Sequence, residues 1–132
     1  MSVDTKTYFT EMTSIIGYCA VDSGQLMITD PSYVSYWDDN AEYGDNVEGG
    51  HFSYPGACDQ TLSDRQGGQL YFPAGHSGVA VVTRTGYGDG MYPVYATYRS
   101  EYSDEACLNL IDRRVAKIEI VFIDDEDEEA SE

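Results

Sequence analysis

GVAVVTRTGYGDGMYPVYATY, residues 78–98, is the stretch that sets how the rest of the chain is read. Val79, Val81 and Thr83 alternate with Ala80, Val82 and Arg84, and β-branched residues at period two favour a pleated strand over a helix. A second run, 91–98, alternates aromatic and small residues in the same way. Between the two, Gly86, Gly88 and Gly90 tolerate positive φ, and Asp89 is a residue type able to hydrogen-bond its own backbone. The stretch therefore predicts a β-hairpin turning at Asp89-Gly90, with a loop longer than two residues. Pro93 lacks an amide donor, which predicts an edge position or a bulge for the returning strand.

Outward from this stretch the same logic repeats. IIGYCAV at 15–21 and QLMITD at 25–30 flank Asp22-Ser23-Gly24 and predict a first hairpin. Residues 1–13 suit an edge strand or an ordered arm. Pro31 breaks the strand at Asp30, and SYVSYW at 32–37 suits a helical turn or short strand that packs the sole tryptophan, Trp37. HFSY at 51–54 is a short strand candidate stopped by Pro55-Gly56, ACDQTLSDRQ at 57–66 suits a helical turn, and QLYF at 69–72 a strand. DEACLNLIDRR at 104–114 predicts a short helix with Ser103 or Asp104 as its N-cap. VAKIEIVFI at 115–123 is the clearest single strand, and its apolar second half predicts a place inside a sheet. Nine strand candidates joined by short turns predict a mainly β fold. The expected architecture is an antiparallel β-sandwich or jelly-roll-like single domain, with one short helix, over residues 1–123.

Composition sets the function classes. Seven Lys and Arg face twenty-four Asp and Glu, so phosphate backbones and anionic lipid repel this chain: the expectation is no direct nucleic acid and no membrane partner. Residues 124–132 hold seven of those acids and predict a disordered acidic tail; the remaining 17 acids and seven bases still leave the body at −10. Such a field attracts a cation or a protein partner with a basic surface. Cys19, Cys58 and Cys107 are odd in number and lack CxxC spacing, which argues against a disulfide framework or zinc ribbon and for a reducing, cytoplasmic setting. Twelve of seventeen aromatics are Tyr, suited to strands and to surfaces with one wet edge. The composition leaves the oligomeric state open, a homo-oligomer included.

Candidate site residues follow from the turns and the aromatics. Asp22, Asp30 and Asp89 sit at predicted strand ends, with Trp37, Tyr87 and Tyr92 as candidate ligand or interaction residues. The 38–50 loop, DDNAEYGDNVEGG, carries Asp38, Asp39 and Asp45 as calcium candidates, though its spacing departs from the EF-hand pattern; no other cofactor is expected. Cys58 with His51 or His76 and an aspartate has the residue types of a nucleophilic set, but no GxSxG, Walker or dinucleotide fingerprint accompanies it. The reading is of a non-enzymatic acidic interaction protein. A small-molecule or divalent-cation binder, a virion or assembly component, and a small hydrolase using clustered carboxylates are the alternatives.

VDSGQLMITDP at 21–31, YPGACDQTLSDRQGGQL at 54–70 and TGYGDGMYPVY at 85–95, closed by RVAKIEIVF, resemble a family of small uncharacterised proteins found in bacteria and their phages. The resemblance runs from Gly17 to Phe122 and is weakest in the 38–50 loop and the acidic tail. It implies a compact β-rich accessory protein of a bacterium or phage, which with the cysteine pattern places it in the cytoplasm of a bacterium or phage-infected host; the acidic surface adds inhibition of a basic, nucleic-acid-handling partner as one expected role. It carries over no catalytic residue.

Overall fold

A computed structural model describes residues 8–42, 49–72 and 77–124. The chain is mainly β, with six described strands in two three-stranded antiparallel sheets and few helical residues. The strands are β1 (Tyr8–Val21), β2 (Gln25–Thr29), β3 (Gly67–Tyr71), β4 (Ser77–Arg84), β5 (Gly90–Tyr102) and β6 (Leu110–Ile120). A 3-10 helix spans Pro31–Tyr36 and one α-helix, α1, spans Tyr54–Thr61. Contacts gather the chain into two compact units, one containing β1, β5 and β6 and the other Val21–Gly90.

In the first unit the strand order is β1-β5-β6. The Thr13 and Thr97 hydroxyls meet at 2.7 Å, and the Arg99 guanidinium reaches Glu11 at 3.1 Å, so β1 runs antiparallel to β5. On the other side Val94 faces Ile120, Ala96 faces Ile118 and Tyr98 faces Val115, with a shift in register between Thr97 and Tyr98. Alternation then gives the sheet two unlike faces. One shows Glu11, Arg99, Glu101, Asp112, Arg114, Lys117 and Glu119; the other shows Met12, Ile16, Val94, Ala96, Val115 and Ile118.

In the second unit the order is β2-β4-β3, antiparallel throughout: Met27 faces Val82, which faces Gly68, and Thr29 faces Ala80, which faces Leu70. Leu70, Ala80 and Val82 are buried and meet Phe52 and Ala57 to form the core, with Trp37 packed edge-on to Phe52 at 5.1 Å. α1 lies against β3 and β4. Ser53 starts it by accepting the Gly56 amide at 3.1 Å, and Pro55 sits in the first turn, where a missing amide costs nothing.

The structure corrects several expectations. The 78–98 stretch is two strands and a turn, yet not a hairpin: β4 and β5 belong to different sheets. Each is the central strand of its sheet, so both of its edges are already taken. The same holds for the first expected hairpin, since β1 pairs with β5 and β2 with β4. Pro93 therefore lies in a central strand rather than an edge one, and it is tolerated where it stands because pairing with β6 begins one residue later, at Val94. β6 is an edge strand and largely exposed, not interior. The helix expected at 104–114 is instead a loop, in which the Leu108 and Asn109 amides donate to Asp104 at 3.0 and 2.7 Å, followed by β6 from Leu110. A short acidic side chain that accepts backbone amides competes with helix formation. α1 at Tyr54–Thr61 overlaps the helical turn expected at 57–66 but starts three residues earlier, at the end of the HFSY strand candidate, because Ser53 and Pro55 supply its start. The 32–37 helical turn is observed as the 3-10 helix, capped by Asp30.

A cleft in the second unit as the candidate functional site

Antiparallel pairing of β2 and β4 puts the start of one beside the end of the other, with Gln25 opposite Arg84. The turn before β2 and the loop after β4 therefore meet at one end of the sheet. α1 closes the third side with Tyr54, Cys58 and Thr61, residues spaced to share one helical face. The result is a cleft of about 430 Å³ whose lining includes Ser23, Gln25, Tyr54, Cys58, Arg84 and Tyr87. A second hollow of about 180 Å³ shares Ser23, Gln25 and Tyr54 and reaches Trp37 and Val82.

The walls are cross-linked by side chains. Gln25 Nε2 donates to Cys58 Sγ at 3.3 Å, Thr61 Oγ1 donates to Gln25 Oε1 at 3.2 Å, and Arg84 Nε donates to the Thr61 carbonyl at 2.6 Å. A cation on the last carbonyls of α1 also suits the helix dipole. In the loop, Thr85 is fully buried and its hydroxyl donates to the Gly88 carbonyl at 2.7 Å, while the Gly88 amide returns to the Thr85 carbonyl at 3.0 Å. Gly88 follows at φ +113°, a conformation L side chains rarely adopt.

Among the described residues, Arg84 is the one charged side chain lining the cleft, in a chain whose balance is strongly acidic. The Tyr54 phenol is held above its ordinary range, first by the neighbouring Cys58 sulfur, then by burial, with the Asp89 carboxylate adding to both. It stays a hydrogen-bond donor at neutral pH. Gln25 and Tyr54 both meet the Cys58 sulfur as donors, and neither removes a thiol proton. Nucleophilic activation of a thiol needs a base in contact with it, and neither of these two groups is one.

His51 enters a different constellation. Its Nδ1 lies 2.8 Å from Ser53 Oγ and its Nε2 lies 3.8 Å from Asp38, the residue types of a serine-hydrolase triad. The chemistry is that of a helix cap. Ser53 is fully buried and its oxygen already receives the Gly56 amide, so no substrate carbonyl reaches it.

The sequence candidates distribute as follows. Tyr87 lines the cleft and is 77 % exposed, Trp37 lines the adjoining hollow, and Asp89 stands near the rim, with its carboxylate about where a Cβ on Gly24 would touch it. Asp22 lies exposed in the turn before β2. Asp30 is spent on capping the 3-10 helix, and the Ser32 amide it accepts at 2.9 Å holds its carboxyl below the usual range. Tyr92 belongs to the other unit, packed edge-on to Phe122 at 5.3 Å. Asp38 accepts the Asn40 amide at 3.0 Å, besides facing His51, and Asp39 is exposed. Asp45, His76 and the tail beyond Asp124 lie outside the described residues. Among the described residues, no three of His, Cys, Asp and Glu gather to hold a metal ion, and no helix is long and apolar enough to cross a membrane. Sequence reasoning left Gln25, Tyr54, Thr61 and Arg84 out of the site. A helix placed at 54–61 would have put Tyr54, Cys58 and Thr61 on one face.

Comparisons with protein-family models, with curated proteins and with solved structures find no match for this chain.

Proposed function

We propose that the protein acts by binding rather than by bond-making chemistry, and that a small polar molecule enters the cleft between the turn before β2 and the loop after β4. The observation that supports this most is the Gln25–Cys58–Thr61–Arg84 network, which fixes the walls of a cleft of about 430 Å³. That volume lies within the range of small-molecule sites, roughly 300–1,000 Å³. Tyr54 and Tyr87 supply aromatic walls, Gln25, Thr61 and Ser23 supply neutral polar groups, and Arg84 favours a ligand that is neutral or carries one negative charge. A thermal-shift screen of nucleosides, sugars and small carboxylates tests it: a ligand at about 100 times its dissociation constant adds about 2.7 kcal/mol to the second unit. Arg84→Ala and Tyr87→Ala should remove that shift. No stabilisation by any of these classes at millimolar concentration would sink the reading.

The acid excess supports a second binding mode, with a basic protein surface as the partner. The chain is at −17 at neutral pH, and carboxylates at that density imitate the charge of a nucleic-acid backbone. An accessory role in a bacterium or phage-infected host, as an inhibitor of a nucleic-acid-handling enzyme or as an assembly component, draws on the same field. Binding of this kind weakens steeply between low and high salt, and a complex indifferent to salt would exclude it.

A further inference from the structure

We propose that two copies of this chain pair through the apolar face of the β1-β5-β6 sheet. The face is open: Met12 is 56 % exposed, Ile16 54 %, Val115 55 % and Ile118 51 %. These four flank Val94 and the fully buried Ala96 on the central strand, with Ser14 between Met12 and Ile16, so apolar side chains extend across all three strands. Isolated exposed apolar residues need no explanation, but a contiguous patch of this extent marks an interaction surface.

Charge identifies the occupant. The three strands carry four acids, Glu11, Glu101, Asp112 and Glu119, and four bases, Arg99, Arg113, Arg114 and Lys117; the sheet is neutral in a chain of net −17. All four acids project from the opposite face. On the apolar face the one charged side chain is Arg113, and its guanidinium lies over the Tyr98 ring at 4.7 Å. A basic partner finds nothing here to attract it. A second copy meets a surface of its own kind, apolar and free of the carboxylates that would otherwise keep two such chains apart, and one patch serves both subunits in an isologous pair. The β6 edge of the sheet is a poorer route, since that outer strand carries Arg113, Arg114 and Lys117, and charged edges discourage strand addition.

The area suffices for a reversible dimer. Three strands paired over about ten residues cover roughly 33 Å by 14 Å. Two such footprints, with side-chain relief, come to about 1,000 Å², the lower limit for a specific interface. An interface at this lower limit belongs with weak, reversible pairs, so the dimer is sought across the micromolar range. Its salt response is the reverse of that for a basic partner: screening the mutual repulsion of two acidic chains strengthens it.

Sedimentation equilibrium of the full chain decides the matter, run from about 1 to 500 µM at about 0.05 and 0.5 M salt, a range spanning Debye lengths from beyond to well below 10 Å. We expect a mass approaching twice 14.6 kDa, with a larger dimer fraction at high salt. Ile118→Lys and Met12→Lys, each at a half-exposed position, should return it to one chain mass with the far-UV circular dichroism unchanged, while Lys117→Ser on the opposite face leaves the dimer intact. If Ile118→Lys loses its circular dichroism, Met12→Lys at the sheet edge decides alone. A wild-type monomer at both salts overturns the proposal, as does a dimer that survives both lysine substitutions. A monomer that floats with neutral phosphatidylcholine vesicles assigns the face to lipid and overturns it too.

Discussion

Gln25 and Cys58 are joined across the cleft: the amide of the first residue of β2 donates to the sulfur in the middle of α1 at 3.3 Å. The carbonyl of the same amide accepts from Thr61 one turn later. One side chain thus ties the sheet end to two turns of helix. Gln25→Ala removes both bonds and should cost about 1–2 kcal/mol in urea unfolding. It also uncovers the thiol, so Cys58 should react faster with a disulfide reagent, read against a Cys19→Ser, Cys107→Ser background. Unchanged stability together with an unchanged rate would mean that the network does not hold the walls.

Gly56 and Gly68 both lack room for a side chain, for different reasons. A Cβ on Gly56 would run into the backbone carbonyl of His51, which has no freedom to yield; a Cβ on Gly68 would meet the tip of the Gln60 side chain, which does. Gly56→Ala is therefore expected to cost about 1–3 kcal/mol or more as an overpacked site. Gly68→Ala should cost clearly less, because Gln60 swings away. Equal losses in parallel thermal melts would contradict this account of the helix packing.

Leu70 is wholly buried between α1 and the sheet. Leu70→Ala should cost about 2–5 kcal/mol, and Phe52→Ala about 3–5 kcal/mol. Because Phe52 is the edge-on partner of Trp37, the second change should also shift the tryptophan emission to the red. An unmoved spectrum would show that the Trp37 environment is set elsewhere.

Asp104 carries an acid dependence with a defined sign. The Leu108 and Asn109 amides hold its carboxyl below the unperturbed 3.8. A carboxyl lowered on folding stabilises the folded state above its unfolded pKa and loses that contribution as pH falls through the folded value. The difference in melting temperature between wild type and Asp104→Ala should be constant near neutrality and shrink below about pH 4. Taking the difference cancels the general relief of repulsion that acid brings to a chain with pI ≈ 4.1. A gap that widens in acid would have the wrong sign.

The mainly β architecture was legible in the alternation of Val79 to Thr83 and of the 91–98 run, since period two reports extended backbone directly. Pairing was not. Alternation around a glycine-rich turn looks the same whether the flanking strands face each other or part, and only the occupancy of their edges, by residues as distant as Thr13 and Thr97, decides between the two. Asp104 reads as a helix cap and is a loop acceptor, because both uses present the same carboxylate to backbone amides. At the candidate site, Tyr87 stood out as an aromatic in the glycine-rich turn, Trp37 as the sole tryptophan, and Asp89 as a turn residue. Gln25 and Arg84 did not, since their position depends on register, and a lone glutamine or arginine carries no pattern.

The unit that holds the cleft is a single uninterrupted segment, Val21–Gly90, whereas the β1-β5-β6 sheet is assembled from the stretches on either side of it. During synthesis β1 emerges first and has no neighbour until that whole segment has followed. Translation thus delivers the cleft-bearing unit first and leaves an apolar strand waiting. A nascent chain whose residue 90 has just cleared the ribosome exit would present a finished cleft and an orphaned strand, the species that chaperones would be called on to shield.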